Sequence, residues 1–537
     1  MKENLRWIVF VLAANVMICQ KLVITKRGPI VGQKEDGYYT FLGVPYALVN
    51  EENPFGASSE YPKFDEAFNA SDPDVKCPQI LMNEGGVIQC LTLNIYVPKI
   101  ALKESVPVFV WFYGGGYVFG SAGLYHGKLL VKKDIIVVTV NYRLGPYGFL
   151  CLDDPRVPGN QGLKDQADAL KWINENIGAF GGDNEEITIA GESYGGGSVD
   201  LHLYSKYPTY FNKAIIQSGA AEARRMFVKP DYSAAIKLAN HLGSTNSTTN
   251  DDSIKFLKQV DPLTVMKGAS KLGMVLTVCK EKRYESVRNF ITDDQFHLRN
   301  PFRIKNTPIM IGYNSKEAFD TFANKSEEVY QKASTFIYDN FKEIFDLKED
   351  ALVRLTNIVH SYYMGGKPFD SNAMLELIDM SGDFILNRAI ESSVTRFIEQ
   401  GAKKVYKYLF SYIGGSIYEN ITGVGAYHTE ELQYLFHSVS PGKKFTAEQK
   451  IMRNRMTTMW SNFVKYGNPT PNVTDLLPVE WLPITSEGSR VYLNIDLDMS
   501  MKDQLYHKRI AFWDLFWSSY WKKAKMVTKK CRTKCAS

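Results

Sequence analysis

The sequence has no apolar run long enough to cross a bilayer, which takes about twenty apolar residues. The best candidate runs from Trp7 to Cys19, about thirteen residues behind the basic Lys2 and Arg6. A short apolar segment after a positively charged start is typical of a secretory signal peptide. We therefore predict a signal peptide at residues 1–19, a secreted, extracellular protein, and no stable membrane insertion.

The chain also carries little net charge. Its 63 Lys and Arg residues nearly balance 58 Asp and Glu residues, which leaves +5 at pH 7. This balance does not indicate a nucleic-acid partner, because nucleic acids select strongly basic surfaces. Much of the excess lies between Lys522 and Lys534, so we interpret residues 518–537 as a solvated basic tail. Cys531 and Cys535 in this tail could bridge each other or a second molecule.

Cysteine is scarce, with seven residues in 537, and no cysteine–histidine spacing resembles a zinc site. Only residues 78–89 separate Cys77 from Cys90, and in an oxidising compartment this pair is typical of a short disulfide loop. Cys151 ends an apolar run, and we expect it to be a buried free thiol. Cys279 has no obvious partner.

Several Asn-x-Ser/Thr sequons support the secretory route. We predict N-glycosylation at Asn69, Asn246, Asn324, Asn420 and Asn472. Each sequon alone could be accidental, but together with a signal-like segment they favour export.

No linker, internal repeat or low-complexity tract divides the chain, although its length would suffice for two to four domains of roughly 150 residues. Strand-like apolar runs instead alternate with helical stretches. The runs are Leu91–Val97, Val106–Phe112, Ile135–Asn141, Ile187–Ala190, Ala214–Ser218, Pro308–Gly312 and Lys404–Phe410. This alternation predicts an α/β fold with a large, mostly parallel central sheet flanked by helices. In such sheets chemistry gathers where strands end.

A serine between two glycines follows one of these runs. Gly191 and Gly195 permit a sharp turn from strand to helix that leaves the hydroxyl of Ser193 outermost. A serine hydroxyl is a poor nucleophile at neutral pH and needs a base. Alone the pattern is weak, since it could mark a turn without chemistry.

A base and an acid can be proposed from two other loops. Of the eight histidines, His428 stands in a glycine-bearing loop that leads into a helix start. A carboxylate should hold its imidazole in the correct tautomer. Glu317, which follows the strand-like run 308–312, is our candidate, and Asp320 is the rival.

A run of three glycines, Gly114 to Gly116, follows a further strand. Backbone N–H groups without side chains in the way can stabilise the oxyanion that forms during acyl transfer. We assign this role to the N–H groups of Gly115, Gly116 and Tyr194. A flexible loop is the simpler alternative, and a phosphate loop is disfavoured because no Gly-Lys-Ser/Thr follows. The order serine, acid, histidine is that of α/β-hydrolases.

Longer motifs carry a family resemblance. They are Phe41–Ala47, Asn141–Phe149, Gly159–Asp165, Phe180–Asp183, Gln217–Gly219, His428–Phe436 and Trp460–Pro469. On these motifs the sequence resembles the type-B carboxylesterase family, the carboxylesterase and cholinesterase group of α/β-hydrolases. The helix after the nucleophile resembles that of insect esterases, particularly those of moths and butterflies.

The resemblance implies the α/β-hydrolase fold and one catalytic domain at residues 20–517, with neither cofactor nor metal. It implies Ser193 as nucleophile, His428 as base and Glu317 as acid, with a Cys77–Cys90 disulfide. Several side chains depart from the common pattern, among them Ile88, Gln89 and Ala318. Two departures lie beside the proposed nucleophile and the glycine run. Tyr113 stands where many carboxylesterases have histidine. Cholinesterases also have tyrosine at this position. Tyr194 replaces the usual alanine after the nucleophile, and its ring could narrow the pocket.

We expect a secreted serine carboxylesterase that hydrolyses uncharged odorant, pheromone, dietary or xenobiotic esters, as a monomer or weak homodimer. A first alternative is a catalytically weak or silent adhesion or binding protein of the same fold. A second is a juvenile-hormone esterase, although such enzymes typically have glutamine where this chain has Glu192. A cholinesterase is unsupported, because residues 78–89 contain no tryptophan to bind a quaternary ammonium group.

Overall fold

The computed structural model describes residues 20–82, 84–421, 423–439, 442–485 and 490–525. The predicted signal peptide and both cysteines of the predicted tail lie outside these residues. The strands are β1 (Gln20–Thr25), β2 (Gly28–Lys34), β3 (Tyr38–Pro45), β4 (Ala47–Leu48), β5 (Ser59–Glu60), β6 (Phe68–Asn69), β7 (Thr92–Pro98), β8 (Val106–Phe112), β9 (Ile136–Val140), β10 (Gly182–Glu192), β11 (Lys213–Gln217), β12 (Phe227–Val228), β13 (Val278–Cys279), β14 (Ile309–Asn314), β15 (Val405–Phe410), β16 (Tyr492–Ile495) and β17 (Ser500–Lys502).

Helices connect most of the parallel strands. The α-helices are α1 (Lys128–Val131), α2 (Gly145–Phe149), α3 (Gln161–Asn176), α4 (Tyr194–His202), α5 (Ala234–His241), α6 (Asn250–Leu257), α7 (Pro262–Lys271), α8 (Pro301–Asn306), α9 (Phe319–Phe322), α10 (Glu327–Ile344), α11 (Glu349–Met364), α12 (Met374–Gly382), α13 (Arg388–Glu399), α14 (Ala447–Tyr466) and α15 (His507–Tyr520). A π-helical turn, Asp383–Asn387, joins α12 to α13. Short 3₁₀ helices occupy Lys99–Leu102, Ala122–Leu124, Ile177–Phe180, Ser371–Ala373, Glu430–Tyr434, His437–Val439 and Trp521–Lys523.

One large sheet organises the described part of the chain. Thirteen strands take the order β1-β2-β3-β7-β9-β8-β10-β11-β14-β15-β16-β17, with β6 beside β2. The strands from β9 to β16 in this order are parallel neighbours, whereas β1, β2, β3 and β7 form an antiparallel edge and β17 closes the other. The predicted α/β fold with a large, mostly parallel sheet flanked by helices is confirmed.

The central strands are apolar on both faces because helices cover them. Every residue of β8, β9 and β11 is buried or nearly so, and Val110, Val138 and Ile215 are fully buried. Continuous apolar runs are what a doubly covered parallel sheet requires. The carboxyl ends of β8, β10 and β14 therefore meet at one edge of a rigid core.

A second, aromatic core lies under helices α10, α12 and α15. Phe341 stacks on Phe516 with ring centroids 4.8 Å apart, and Trp513 packs against both rings. Phe319 and Met380 belong to the same cluster. This core supports the segment directly after Glu317.

The structure contains two disulfides among its described cysteines. Cys77 is joined to Cys90, and Cys151 is joined to Cys279. The expectation of a free thiol at Cys151 is therefore wrong. The partners are 128 residues apart in sequence, and both sulfurs lie near the Pro158 carbonyl. Asn160 fixes the backbone of Cys279. Its side chain accepts a hydrogen bond from the N–H of Cys279 at 2.9 Å and donates to its carbonyl at 2.8 Å.

The surface bears on two further predictions. All five asparagines of the sequons are exposed, and their glycosylation stays a prediction. The first residues of the predicted tail are packed rather than free, because the Lys523 carbonyl accepts from Asp346 N–H at 2.8 Å and Lys525 N–H donates to the Ile344 carbonyl at 2.7 Å.

Within the described ranges, no helix combines the length and the hydropathy needed to cross a membrane.

Candidate active site

Ser193 occupies the turn between β10 and α4. Its backbone has φ 57° and ψ −125°, and its N–H donates to the Gln217 carbonyl at 2.9 Å. The flanking glycines are needed for close approach: a Cβ on Gly191 would lie 2.4 Å from the backbone of Gly195, and one on Gly195 would lie 2.1 Å from the Phe112 carbonyl oxygen. A side chain at either position would collide with main chain, so the sharp turn depends on both glycines.

Three predicted side chains meet above this turn. The Nε2 of His428 lies 2.9 Å from the Oγ of Ser193, and its Nδ1 lies 2.7 Å from an Oε2 of Glu317. The other oxygen of Glu317 accepts hydrogen bonds from Asn314 N–H and from the Ser218 hydroxyl, each at 2.6 Å. These two donors fix the carboxylate, which in turn orients the imidazole.

Asp320, the rival acid, lies on the first turn of α9. It makes no hydrogen bond or ion pair with His428 in the described part of the structure. The geometry therefore favours Glu317 for this position.

The loop of Gly114, Gly115 and Gly116, here called the glycine loop, lies beside Ser193. A Cβ on Gly114 would lie 2.9 Å from the Cβ of Ser193, which places the loop directly beside it. Gly115 and Gly116 have φ values of 93° and 66°, a region that favours glycine. Among the described residues, the N–H groups of Gly115, Gly116 and Tyr194 donate no hydrogen bond. The three predicted donors are thus near Ser193 and available to a ligand.

Side chains hold this loop from behind. Tyr113 is buried, its hydroxyl donates to the Tyr142 carbonyl at 3.3 Å, and the Tyr142 hydroxyl donates to the Tyr113 carbonyl at 2.5 Å. The far end of the loop is held by Gln79, whose Oε1 accepts from Gly120 N–H at 2.9 Å and whose amide donates to the Gly120 carbonyl at 3.1 Å. Gln79 belongs to the loop closed by Cys77 and Cys90, so that disulfide loop supports the glycines.

A sequence model of the Carboxylesterase family matches residues 20–513. The chain belongs to this family. It is 30% identical to juvenile hormone esterase of Tribolium castaneum over 507 residues, which cover 84% of each chain. It is also 30% identical to human bile salt-activated lipase over 531 residues, 92% of this chain and 68% of the lipase. Acylcarnitine hydrolase of Mus musculus is 28% identical over 522 residues, 91% of this chain and 89% of that one. The protein is a carboxylic ester hydrolase; the moth and butterfly likeness stays a prediction.

The carboxylesterase site contains two buried carboxyl groups, Glu192 and Glu431, besides the three predicted side chains. Glu192 is buried, and its Oε1 lies 3.1 Å from the Nε2 of His428. Burial raises the pKa of Glu192 to about 8, and the carboxylates of Glu431 and Glu317 act in the same direction. Burial alone would lower the pKa of His428, but Glu192, Glu317 and Glu431 outweigh it and raise that pKa to about 10. The neighbouring carboxyl groups therefore favour the imidazolium form of His428.

Glu431 is a site residue that the sequence reasoning missed. It is fully buried and accepts hydrogen bonds from the Asn314 amide at 2.6 Å and the Gln217 amide at 3.0 Å. Trp460 donates from its indole N–H to Gln217 at 2.8 Å. This network lies beneath Glu317 and the nucleophile turn. The only sequence signal was its position three residues after His428.

A cavity of about 270 Å³ opens beside Ser193 and His428. We call it the catalytic cavity. Apart from the reacting groups, its lining is largely apolar and includes Ala223, Met226, Ile385 and Leu386, with Arg224 as its one cationic side chain in the described structure. Such a lining suits the uncharged part of an ester.

Tyr194 is one of the residues that line the catalytic cavity, and the narrowing of the pocket by its ring stays a prediction. Its ring meets the ring of Tyr117 edge-on, with centroids 5.0 Å apart. The Tyr117 hydroxyl is 2.8 Å from the Ser198 hydroxyl, so α4 and the glycine loop hold the aromatic pair. The ring occupies volume but leaves the Tyr194 N–H at the start of α4.

Among the described residues, no group of three or more His, Cys, Asp and Glu side chains is arranged to hold a metal ion.

Proposed function

We propose that this protein is a secreted serine carboxylesterase that hydrolyses uncharged carboxylic esters through an acyl-Ser193 intermediate. The observation that carries the proposal is the continuous chain of hydrogen bonds from Ser193 through His428 to Glu317, at 2.9 and 2.7 Å. A hydroxyl, an imidazole and a carboxylate in this arrangement have the contacts that nucleophilic acyl transfer needs.

In the first half-reaction, Ser193 Oγ attacks the ester carbonyl carbon while its proton passes to His428 Nε2. Glu317 accepts from His428 Nδ1 and stabilises the imidazolium that forms. The carbonyl oxygen becomes an oxyanion, which the N–H groups of Gly115, Gly116 and Tyr194 receive. The tetrahedral intermediate collapses, the bond to the alcohol oxygen breaks, and His428 returns the proton to that oxygen.

In the second half-reaction, water takes the place of the alcohol. His428 Nε2 accepts a proton from the water as its oxygen attacks the acyl carbon of acyl-Ser193. The same N–H groups stabilise the second oxyanion. Collapse breaks the bond to Ser193 Oγ, which takes its proton back from His428, and a carboxylic acid leaves. No cofactor is required.

Several observations support secretion and an uncharged substrate. Two disulfides are typical of an oxidising compartment, and the exposed sequon asparagines and the predicted signal peptide agree with export. The largely apolar catalytic cavity favours esters without a charged group near the carbonyl.

A juvenile-hormone esterase is the second candidate. It is favoured by the 30% identity with the beetle enzyme of that name. A substrate panel that varies acyl and alcohol groups, with a juvenile hormone as one member, separates this candidate from a broader carboxylesterase. A dominant rate with the hormone would select it.

The test of the proposal uses p-nitrophenyl esters and an organophosphate probe. The wild-type protein should release nitrophenol with an initial burst and take up the probe at one residue, whereas Ser193→Ala should lose about 10³-fold or more in kcat and all labelling. Activity should fall as the pH is lowered, because imidazolium cannot accept a proton. Equal rates for wild type and Ser193→Ala would overturn the proposal, and absence of turnover and labelling in both would favour a silent adhesion protein.

A further inference from the structure

A second cavity lies next to the catalytic cavity. It also measures about 270 Å³, and we call it the outer cavity. Its lining includes Arg225, Phe227, Phe296, Phe384 and Trp517. Of the described residues, Ala223 and Arg224 alone line both cavities. These two residues therefore form the partition between them.

Arg224 is the larger part of the partition and is held at three points. Its backbone N–H donates to the Ile385 carbonyl at 3.1 Å. Its Nε donates to Asn340 Oδ1, and its Nη2 lies 3.5 Å from Glu343 Oε2. The side chain is only 21% exposed. A guanidinium fixed by an amide and a carboxylate is a firm obstacle, because displacing it breaks charge-assisted contacts.

We infer that Arg224 determines substrate specificity by closing the catalytic cavity and so limiting the length of one substituent of the ester. This inference rests on the proposed function. A short substituent fits on the catalytic side of Arg224. A longer apolar chain would have to press against a partly buried cation or push it away from Asn340 and Glu343, and either event disfavours the transition state. Ala223 is too small to close the gap alone.

The neighbouring Arg225 provides a matched control. It contacts the same carboxylate, with Nη2 2.9 Å and Nε 3.1 Å from the two oxygens of Glu343. It lines the outer cavity but not the catalytic one. Its removal deletes an equal charge and disturbs the same partner, yet leaves the partition in place.

The experiment measures kcat/KM for two ester series, p-nitrophenyl alkanoates and linear alkyl acetates, each from two to twelve carbons. Each profile is normalised to that variant's own value for the shortest ester. In wild type, one series should fall by at least about tenfold per added pair of methylenes beyond a limit. In Arg224→Ala this limit should move by at least about four carbons, since the two cavities become continuous. Arg225→Ala should retain the wild-type limit.

A third variant separates side-chain size from charge. Arg224→Met keeps an unbranched side chain of similar reach without the cation, so the limit should stay near that of wild type if bulk forms the partition. Unchanged limits in both series for Arg224→Ala overturn the inference while leaving the proposed function intact. Absence of any Ser193-dependent hydrolysis in wild type instead overturns the proposed function.

A structural measurement decides the matter if Arg224→Ala does not fold. Wild-type protein is reacted with a dodecyl phosphonate ester and its crystal structure is determined. The inference requires either no adduct or an adduct with Arg224 displaced from Asn340 and Glu343. A dodecyl chain that crosses into the outer cavity past an unmoved Arg224 would overturn it.

Discussion

Ser193 and His428 lie 2.9 Å apart, but the chain holds them by different means. Ser193 stands at the end of a central strand, in a turn that main-chain atoms enclose on both sides. His428 lies in the long connection between β15 and α14, whose described elements are two short 3₁₀ helices. Backbone packing positions Ser193, the proposed nucleophile, whereas hydrogen bonds to the connection position His428, the proposed base.

The contacts of the His428 connection can be named. Ala426 N–H donates to the Ser315 hydroxyl at 3.0 Å, and the Ala426 carbonyl accepts from Lys316 N–H at 2.9 Å. The Tyr427 carbonyl accepts from the Asn314 amide at 2.7 Å. We therefore expect changes at the nucleophile turn to act on folding, and changes around His428 to act on catalysis.

The largest effect should come from Gly195→Ala. The new Cβ would lie 2.1 Å from the Phe112 carbonyl oxygen, a main-chain atom of β8 that cannot move without distorting the sheet. The free energy of unfolding should fall by more than about 3 kcal/mol, measured by denaturant titration. Gly178→Ala is the control, because a Cβ there meets no atom within 4 Å. Similar free energies of unfolding for the two variants would contradict the view that main-chain packing positions Ser193.

Glu317→Gln should leave folding intact and remove most activity. An amide that donates to His428 Nδ1 leaves the proton on Nε2, so the imidazole cannot accept from Ser193. We expect kcat to fall by about 10³- to 10⁴-fold at unchanged thermal stability. Asp320→Asn should stay close to wild type. The assignment fails if the two variants exchange these results.

Glu192→Gln should shift the pH profile. The negative charge of Glu192 favours the imidazolium form of His428, and only the neutral imidazole can act as base. Loss of this charge lowers the pKa of His428, so the acid limb of kcat/KM should move to lower pH by about one unit. The measurement is kcat/KM from pH 6 to 11, because the pKa of His428 is raised to about 10. An unmoved limb would show that Glu192 does not act on His428.

Ser315→Ala should give the smallest effect. It removes the acceptor of Ala426 N–H and loosens the connection that carries His428, at a cost of about 1 kcal/mol in positioning. We expect kcat to fall about fivefold with KM little changed. Ser334→Ala is the control, since that hydroxyl donates to the Gln331 carbonyl on an exposed part of α10, far in sequence from the connection that carries His428. Equal kcat values for the two variants would show that the Ser315 hydroxyl does not hold the connection that carries His428.

The nucleophile half of the site was predictable because its information is local. The strand-like run ending at Ala190, the two glycines and Ser193 are neighbours in sequence, and the turn follows from their sterics. Glu317 follows the end of β14 by three residues, so its place at the same sheet edge could also be inferred.

The remainder depends on contacts between distant residues. Cys151 and Cys279 are 128 residues apart in sequence, and no pattern near either cysteine indicates its partner. The charge of Glu192 on His428 and the buried Glu431 become visible only once three strands are assembled. Arg224 has a role only because α10 supplies Asn340 and Glu343. The sequence of one helix or strand does not show which distant residues that helix or strand will contact.

Gln79 has a consequence for how these enzymes can vary. Its side-chain amide accepts from the Gly120 N–H and donates to the Gly120 carbonyl, as a peptide unit of a neighbouring strand would. The loop between Cys77 and Cys90 therefore supports the glycine loop in the way that a strand would. Lengthening or shortening the stretch between Cys77 and Cys90 would pull this amide out of place. Natural variation in that stretch should therefore alter turnover as well as surface shape.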